Sequence, residues 1–192
     1  IAGGRILTGT VGTAAELGHM TIDMHGPRCN CGNIGCLESL ASGTAIARRA
    51  HELLEQGKGD GLLKFVRSHQ PPTQQDDTPA DREWARSNPL RLNAHMVAQA
   101  AEAGVPEACA IIEQAAEALG VGLVNVIHIF NPERVILGGG VSQIGELLLA
   151  PALRIVEERA MSVPGSAAQV VLAELGSDVG IIGAGALVYH HY

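Results

Sequence analysis

Asn131-Pro132-Glu133-Arg134-Val135-Ile136-Leu137-Gly138-Gly139-Gly140-Val141-Ser142 is the stretch on which the fold turns. Arg134 to Leu137 is a short apolar run and reads as a buried strand. Three glycines follow at once, as at a tight strand-to-helix turn. A helix is expected from about Gln143 to Met161, kinked or split at Pro151, which removes a backbone donor. Upstream, Ala108, Ile111, Ile112, Ala115, Leu119, Leu123, Val126, Ile127 and Phe130 form one stripe, with Glu113 and Glu117 on the wet face. The longest helix should therefore run from about Glu107 to Phe130. It is apolar nearly all round from Leu119 onward, so its second half should be buried. Asn131-Pro132 ends it, because a residue before proline avoids helical geometry. Downstream, Gln169-Val170-Val171-Leu172 reads as another strand and 180–192 as a last apolar helix. Strand, glycine turn, helix, strand, helix is the order of a parallel α/β unit.

Nearer the N-terminus, Arg5-Ile6-Leu7-Thr8 is a strand candidate, and Leu17 to Met24 alternates roughly as a second strand. Residues 25–36 form a Gly/Pro/Cys loop without apolar periodicity, so something other than a core must order it. Ile46, Ala50, Leu53 and Leu54 mark a helix starting near Gly43-Thr44 and stopping at Gly57. Residues 67–92 hold Pro71-Pro72, Gln74-Gln75, Asp76-Asp77 and Pro79, and read as a mobile surface insertion.

The chain has 192 residues, 46% of them hydrophobic and 17% charged, which argues against disorder. No apolar run reaches the ~18 residues of a membrane span. Net charge is −7, no Lys/Arg run exceeds Arg48-Arg49, and aromatics are only 3%. Nucleic-acid binding by this segment is therefore not expected. The chain carries no initiator Met, so it is expected to start inside a longer protein.

Three of the four cysteines, Cys29, Cys31 and Cys36, lie within eight residues. Crowded thiols in an acidic chain suggest a reducing compartment, the cytoplasm, and a metal. With His19 they supply three thiolates and an imidazole, a closed tetrahedral donor set for structural zinc. The zinc-binding loop then spans 19–38, and the metal stands in for the core that the loop lacks. Gly32 and Gly35 permit the turns that bring the thiolates together. His25 is nearer in sequence than His19, and spacing does not choose between them.

Glu16-Leu17-Gly18-His19, followed by Gly26-Pro27, Cys29, Cys31-Gly32, Gly35-Cys36 and Glu38, resembles the signature of the ROK family (repressor, open reading frame, kinase). Ala41-Ser42-Gly43-Thr44-Ala45 resembles its glucokinase branch. Residues 131–142 resemble its nucleotide-proximal segment, and Gly180-Ile181-Ile182-Gly183-Ala184-Gly185-Ala186 its C-terminal helix. The resemblance implies an actin-like ATPase (ribonuclease H-like) fold, here its C-terminal lobe over 1–192 with the zinc-binding loop inserted. The last helix, 180–192, would pack on an N-terminal lobe. It implies ATP-dependent phosphorylation of a hexose at its 6-hydroxyl, glucose being favoured, with Mg accompanying ATP in the parent protein. Glu16, His19 and Glu38 would face the sugar hydroxyls, His19 using its other ring nitrogen for zinc. Gly138, Gly139 and Gly140 would lie near the adenosine. A homodimer is also implied.

The family's Asp-x-Gly-Gly-Thr phosphate loop, its Asn-Asp pair with the general base, and its Gly-Thr-Gly segment do not occur here. No catalytic residue is therefore expected in this chain, and alone it should phosphorylate nothing. Ala15 stands where the family carries Gly. The alternative to a kinase is the sugar-sensing domain of a ROK transcriptional repressor, with its DNA-binding part upstream.

Overall fold

The computed structural model describes residues 1, 3–69, 90 and 92–189. Most of the expected insertion at 67–92 thus lies outside the described residues. Its first residues do not belong to an insertion, because Arg67 and Ser68 close a helix. At its far end Leu92 is in the core.

The chain is α/β, with helix predominating. Eight α-helices are described: α1 (Leu37–Ala41), α2 (Gly43–Glu55), α3 (Asp60–Ser68), α4 (Ala94–Glu102), α5 (Pro106–Phe130), α6 (Glu146–Arg159), α7 (Ser162–Ala167) and α8 (Val179–Tyr189). Strands β1 (Arg134–Leu137) and β2 (Gln169–Leu172) pair in parallel, with Val135 opposite Val170 and Leu137 opposite Leu172. A parallel pair needs a crossover, and α6 supplies it.

The spine is α5. Its apolar stripe buries Ala108, Ile111, Ile112 and Ala115 against α2, α3 and α4, where Ile46, Leu62, Val66 and Val97 are fully enclosed. Farther along, Leu123, Val124 and Ile127 meet Ala152 and Val156 of α6, and Val135, Leu137 and Val170 of the strands pack on the same cluster. Gly120 permits this approach: a Cβ there would lie 2.8 Å from the Ala152 carbonyl. By length and composition α5 could cross a membrane, but it is a core helix with 61% of its most apolar window buried.

Several expectations are corrected. Leu17 to Met24 is not a strand: Leu17–His19 is a 3-10 turn, and only Thr21 makes a bridge, to Cys36. Arg5 to Thr8 forms neither of the two strands. After the glycines the chain makes a 3-10 turn, Gly140–Ile144, before α6 begins at Glu146. Pro151 neither splits nor ends α6; it forfeits a single bond, towards exposed Leu147. Asn131 does end α5, in the left-handed conformation (φ 42°) that Asn tolerates better than most residues.

One face of the sheet is covered by α5 and α6. On the other, Ile136 is 64% exposed, although parallel sheets normally bury both faces. Helix α8 is apolar along its length, yet Ile181 is 79% and Val188 74% exposed. Such surface favours association. We expect the 192-residue chain to self-associate in light scattering, and Ile136→Lys with Ile181→Glu to reduce it; a monomer stable to concentration would count against an open apolar face.

Candidate metal centre and the acid beside it

The loop between His19 and Leu37 is ordered by backbone hydrogen bonds and by its glycines. Ile22 N–H donates to the Gly35 carbonyl at 2.7 Å, Gly35 N–H to Pro27 at 2.8 Å, and Cys29 N–H to Asn33 at 2.8 Å. Gly32 has φ 93° and Gly35 φ 64°. At Gly35 a Cβ would sit 1.5 Å from the Asp23 carbonyl oxygen, so no other residue fits there without rebuilding the loop. These turns carry Cys29, Cys31 and Cys36 to one point, while the 3-10 turn Leu17–His19 brings the imidazole from the other side.

One donor atom from each of His19, Cys29, Cys31 and Cys36 lies within 4.8 Å of every other. His19 Nδ1 is 3.7 Å from Cys29 Sγ, and Cys31 Sγ is 3.7 Å from Cys36 Sγ. Sulfurs bound about 2.3 Å from a tetrahedral ion stand about 3.8 Å apart. The four side chains therefore fit a metal ion of that kind. They form no disulfide; all four cysteines of the chain are free. His25 is exposed and outside the group, its N–H donating to Asp23 Oδ1. Geometry thus chooses His19 where spacing could not.

Electrostatics separates the thiols. Cys36 is fully buried, and desolvation pushes its thiol up to about 11, the neighbouring Cys31 and Cys29 sulfurs adding to the effect. Exposed Cys31 is held below the usual thiol value, chiefly by the backbone at Asn33. Uncompensated, three thiolates in so small a space repel one another; a divalent cation at their centre relieves this.

The second ring nitrogen of His19 points out of the cluster. Its Nε2 lies 4.0 Å from Glu38 Oε2, and both side chains are partly open to solvent. Glu38 is in the first turn of α1, which starts directly after Cys36. Leu37 beside it packs over Gly122, where a Cβ would be only 2.8 Å from Leu37 Cδ2, so the loop is seated on the spine. Glu16 caps the 3-10 turn, its backbone carbonyl accepting from His19 N–H at 3.0 Å, but its exposed side chain makes no hydrogen bond or ion pair among the described residues. The structure brings the side chains of His19 and Glu38 together, whereas Glu16 meets His19 through its backbone carbonyl alone.

Gly138, Gly139 and Gly140 are exposed at the end of β1, well separated in sequence from the cysteine loop. Gly139 takes φ 90° and ψ 179°, a conformation that a side chain would strain. The helix N-terminus expected beside them is displaced to Glu146 by the 3-10 turn.

Ala15, two residues before the 3-10 turn Leu17–His19, has φ 63°. Left-handed backbone costs a non-glycine residue roughly 1–2 kcal/mol. Ala15→Gly should therefore raise stability by up to about 1 kcal/mol after allowing for glycine's greater unfolded-state entropy, measured by urea unfolding.

Metal removal should loosen the loop and spare the spine. On chelation, amide exchange at Cys29, Gly32 and Gly35 should accelerate while that of α5 stays slow; Cys36→Ala should abolish stoichiometric binding. Because metal-free Cys36 keeps its proton until about pH 11, an incoming ion must displace it. Apparent affinity should thus rise with pH above neutrality, with protons released to the buffer; titration in buffers of different ionisation enthalpy reads both.

A model of the ROK family matches residues 1–191. The glucokinase of Thermotoga maritima is 35% identical over 185 residues, covering 96% of this chain and 52% of that protein. The N-acetylglucosamine repressor of Escherichia coli O6:H1 is 30% identical over 188 residues, covering 98% of this chain and 40% of the repressor. Among solved structures, a ROK family glucokinase from Streptomyces griseus in complex with glucose and AMPPNP superposes with a TM-score of 0.73 at 29% identity. That match covers 95% of this chain and 54% of the other. The chain spans about half the length of the curated relatives it matches.

Proposed function

The chain belongs to the ROK family, and from that premise we propose that it is the C-terminal half of an ATP-dependent hexose 6-kinase with the actin-like ATPase fold, a glucokinase in the first instance. The observation that carries this is the orientation of one ring. His19 turns Nδ1 towards three cysteine sulfurs and Nε2 towards Glu38, 4.0 Å away. A hydroxyl oxygen roughly 2.8 Å from both atoms fits that gap, accepting from Nε2–H and donating to the carboxylate. A sugar offers such hydroxyls in number, and Glu16 in the adjoining turn is available for another.

In this reading His19, Cys29, Cys31 and Cys36 hold a structural zinc ion, whose contribution is to fix the imidazole's tautomer and angle. All four positions are filled by protein, so there is no open position for activating water. Gly138, Gly139 and Gly140 leave room for the adenosine of ATP, with Mg at its phosphates. The general base and the phosphate loops would come from the half of the relatives' length not shared here. The protein would work in the cytoplasm, as a homodimer.

A second reading, the sugar-sensing domain of a ROK repressor, is favoured by the repressor relative, which aligns over 98% of this chain. The two share the sugar site and part on turnover. A kinase parent consumes MgATP with glucose, whereas a repressor parent binds sugar and DNA and consumes none.

Isothermal titration of the zinc-loaded chain with glucose, xylose and N-acetylglucosamine tests the shared part. Saturable binding is expected, with Glu38→Gln and Glu16→Gln each weakening it about tenfold, the worth of a hydrogen bond to a charged group. Absence of saturable binding by all three sugars would overturn the site. With MgATP and glucose the isolated chain should show no turnover.

A further inference from the structure

The three sulfurs that meet at the candidate metal centre differ in access. Cys29 and Cys36 are buried, whereas Cys31 is exposed. The path of the chain is the cause. Cys36 is the residue from which α1 starts, and it is fully enclosed. Cys31 is at the tip of a hairpin. Arg28 and Ile34 bridge at its base, Cys29 N–H donates to the Asn33 carbonyl at 2.8 Å, and Gly32 N–H closes the turn onto the Cys29 carbonyl at 2.9 Å. A Cβ added at Gly32 would meet nothing within 4 Å, so open space adjoins this tip.

Exposure is joined to proximity. Cys31 Sγ is 3.7 Å from Cys36 Sγ, and no disulfide links them. A sulfur reacts with an oxidant where the oxidant can reach it, and redox-sensing cysteines are accessible ones poised beside a second, resolving cysteine. Cys29 is the poorer partner: it is buried, and its sulfur is on the His19 side, 3.7 Å from Nδ1. Arg28 donates from Nη1 to the Gly32 carbonyl at 3.4 Å, one residue beyond Cys31. A cation thus attends the tip, where it favours thiolate chemistry.

We propose that Cys31 is a site of oxidation by peroxides, with Cys36 as its resolving partner, and that the disulfide they form unloads the metal centre. The inference rests on the metal reading given under the proposed function. Both sulfurs are thiolates while they hold the ion. The Cys31 thiolate attacks a peroxide oxygen: an S–O bond forms, the O–O bond breaks, and hydroxide leaves. The Cys36 thiolate then attacks the Cys31 sulfur: an S–S bond forms, the S–O bond breaks, and a second hydroxide leaves. Two solvent protons convert both hydroxides to water. Two thiolates and hydrogen peroxide thus become a disulfide and two waters, with two electrons passing from sulfur to oxygen. His19 and Cys29 remain as donors, too few to retain zinc in a closed tetrahedral site. With Met24 and Ile34 exposed, the loop has little else to fix it, and the approach of His19 Nε2 to Glu38 Oε2 at 4.0 Å is lost with the ion. Sugar affinity is thereby tied to oxidant, and reversibly, since a thiol reductant reopens the bond. Disulfides in reducing compartments are of this transient kind.

The zinc-loaded chain carrying Cys109→Ser, which removes the other exposed thiol, is treated with hydrogen peroxide beside a chromogenic zinc chelator. Stoichiometric zinc release above the peroxide-free rate is expected. A non-reduced peptide map should show Cys31 joined to Cys36, and a thiol reductant with fresh zinc should restore the centre. Brief alkylation of the zinc-loaded chain with iodoacetamide should mark Cys31 first. Cys31→His keeps four donors of a kind that zinc accepts, and should release the ion at least about tenfold more slowly, because only buried sulfurs remain. A chain that takes up no zinc before peroxide is added would overturn the metal reading, and this inference with it. Zinc taken up but held against peroxide, a disulfide that leaves Cys31 out, first alkylation at Cys29 or Cys36, or a zinc-holding Cys31→His that releases as fast as its parent would overturn the oxidation site alone. The alkylation order is read on the unaltered cluster, so it decides the matter even where Cys31→His takes up no zinc.

Discussion

The meeting of His19 with Cys29, Cys31 and Cys36 is the constraint from which the rest of the functional end follows. Residues 20–36 contribute little to any core: Ile22 packs on a small cluster with Leu37 and Leu119, and Met24 and Ile34 are exposed. A segment so poor in apolar contacts cannot offset its own chain entropy. Its ladder is two isolated bridges, Thr21 with Cys36 and Arg28 with Ile34. A metal ion held by the four convergent donor atoms, as proposed, would supply the missing cross-link at the place where the loop returns to helix at Leu37. Position is thereby transmitted in both directions: the helix end sets Cys36 and Glu38, and the cluster sets His19.

Precision at that site comes from the spine. Leu40 and Ala41 pack on Ala118, and Leu37 fills the space that Gly122 leaves open. The short helix Leu37–Ala41 could not persist alone, since five residues are far below the length at which helices are stable in water. Packed against a 25-residue helix, it presents Glu38 from a fixed backbone. Ring and carboxylate therefore face each other because two weakly structured segments are each tied to something rigid, one to the donor cluster and one to α5.

How much of this was legible in the sequence depends on where the causes lie. The strands Arg134–Leu137 and Gln169–Leu172, and the spine to within a residue of its start, followed from periodicity and from Asn131-Pro132, because local pattern and burial agree there. The crowding of Cys29, Cys31 and Cys36 was legible from residue type, and the three sulfurs do meet. The strand expected at Leu17 to Met24 was not real, because the chain there bends to deliver an imidazole, a tertiary demand that leaves no period. Helix Asp60–Ser68 carries its signal in Leu62 and Val66, both fully buried, but the Pro- and Gln-rich stretch after it obscured the pattern. Helix Ala94–Glu102 is likewise short, and its start rests on one Asn93 side chain accepting from Met96 N–H. The choice of His19 over His25 needed distances, because which side chains meet leaves no trace in spacing.

The two ends of the molecule solve the same problem unequally. At the loop end a poor core is answered by converging ligands. At the sheet end two parallel strands have one covered face, and the helix Val179–Tyr189 presents isoleucines to solvent. Two strands do not make an independently stable sheet, and what holds these is the packing of Val135, Leu137 and Val170 on the spine and on α6. The unmet demand is apolar area over a second face, which more polypeptide can answer and a metal cannot. Relatives about twice as long are consistent with that demand. The glycine turn Gly138–Gly140 opens on the same end, so whatever covers Ile136 will also stand near the segment proposed for the nucleotide. In the proposed reading, covering the sheet and completing that site are one structural requirement, whereas the His19 ring is oriented by the donor cluster.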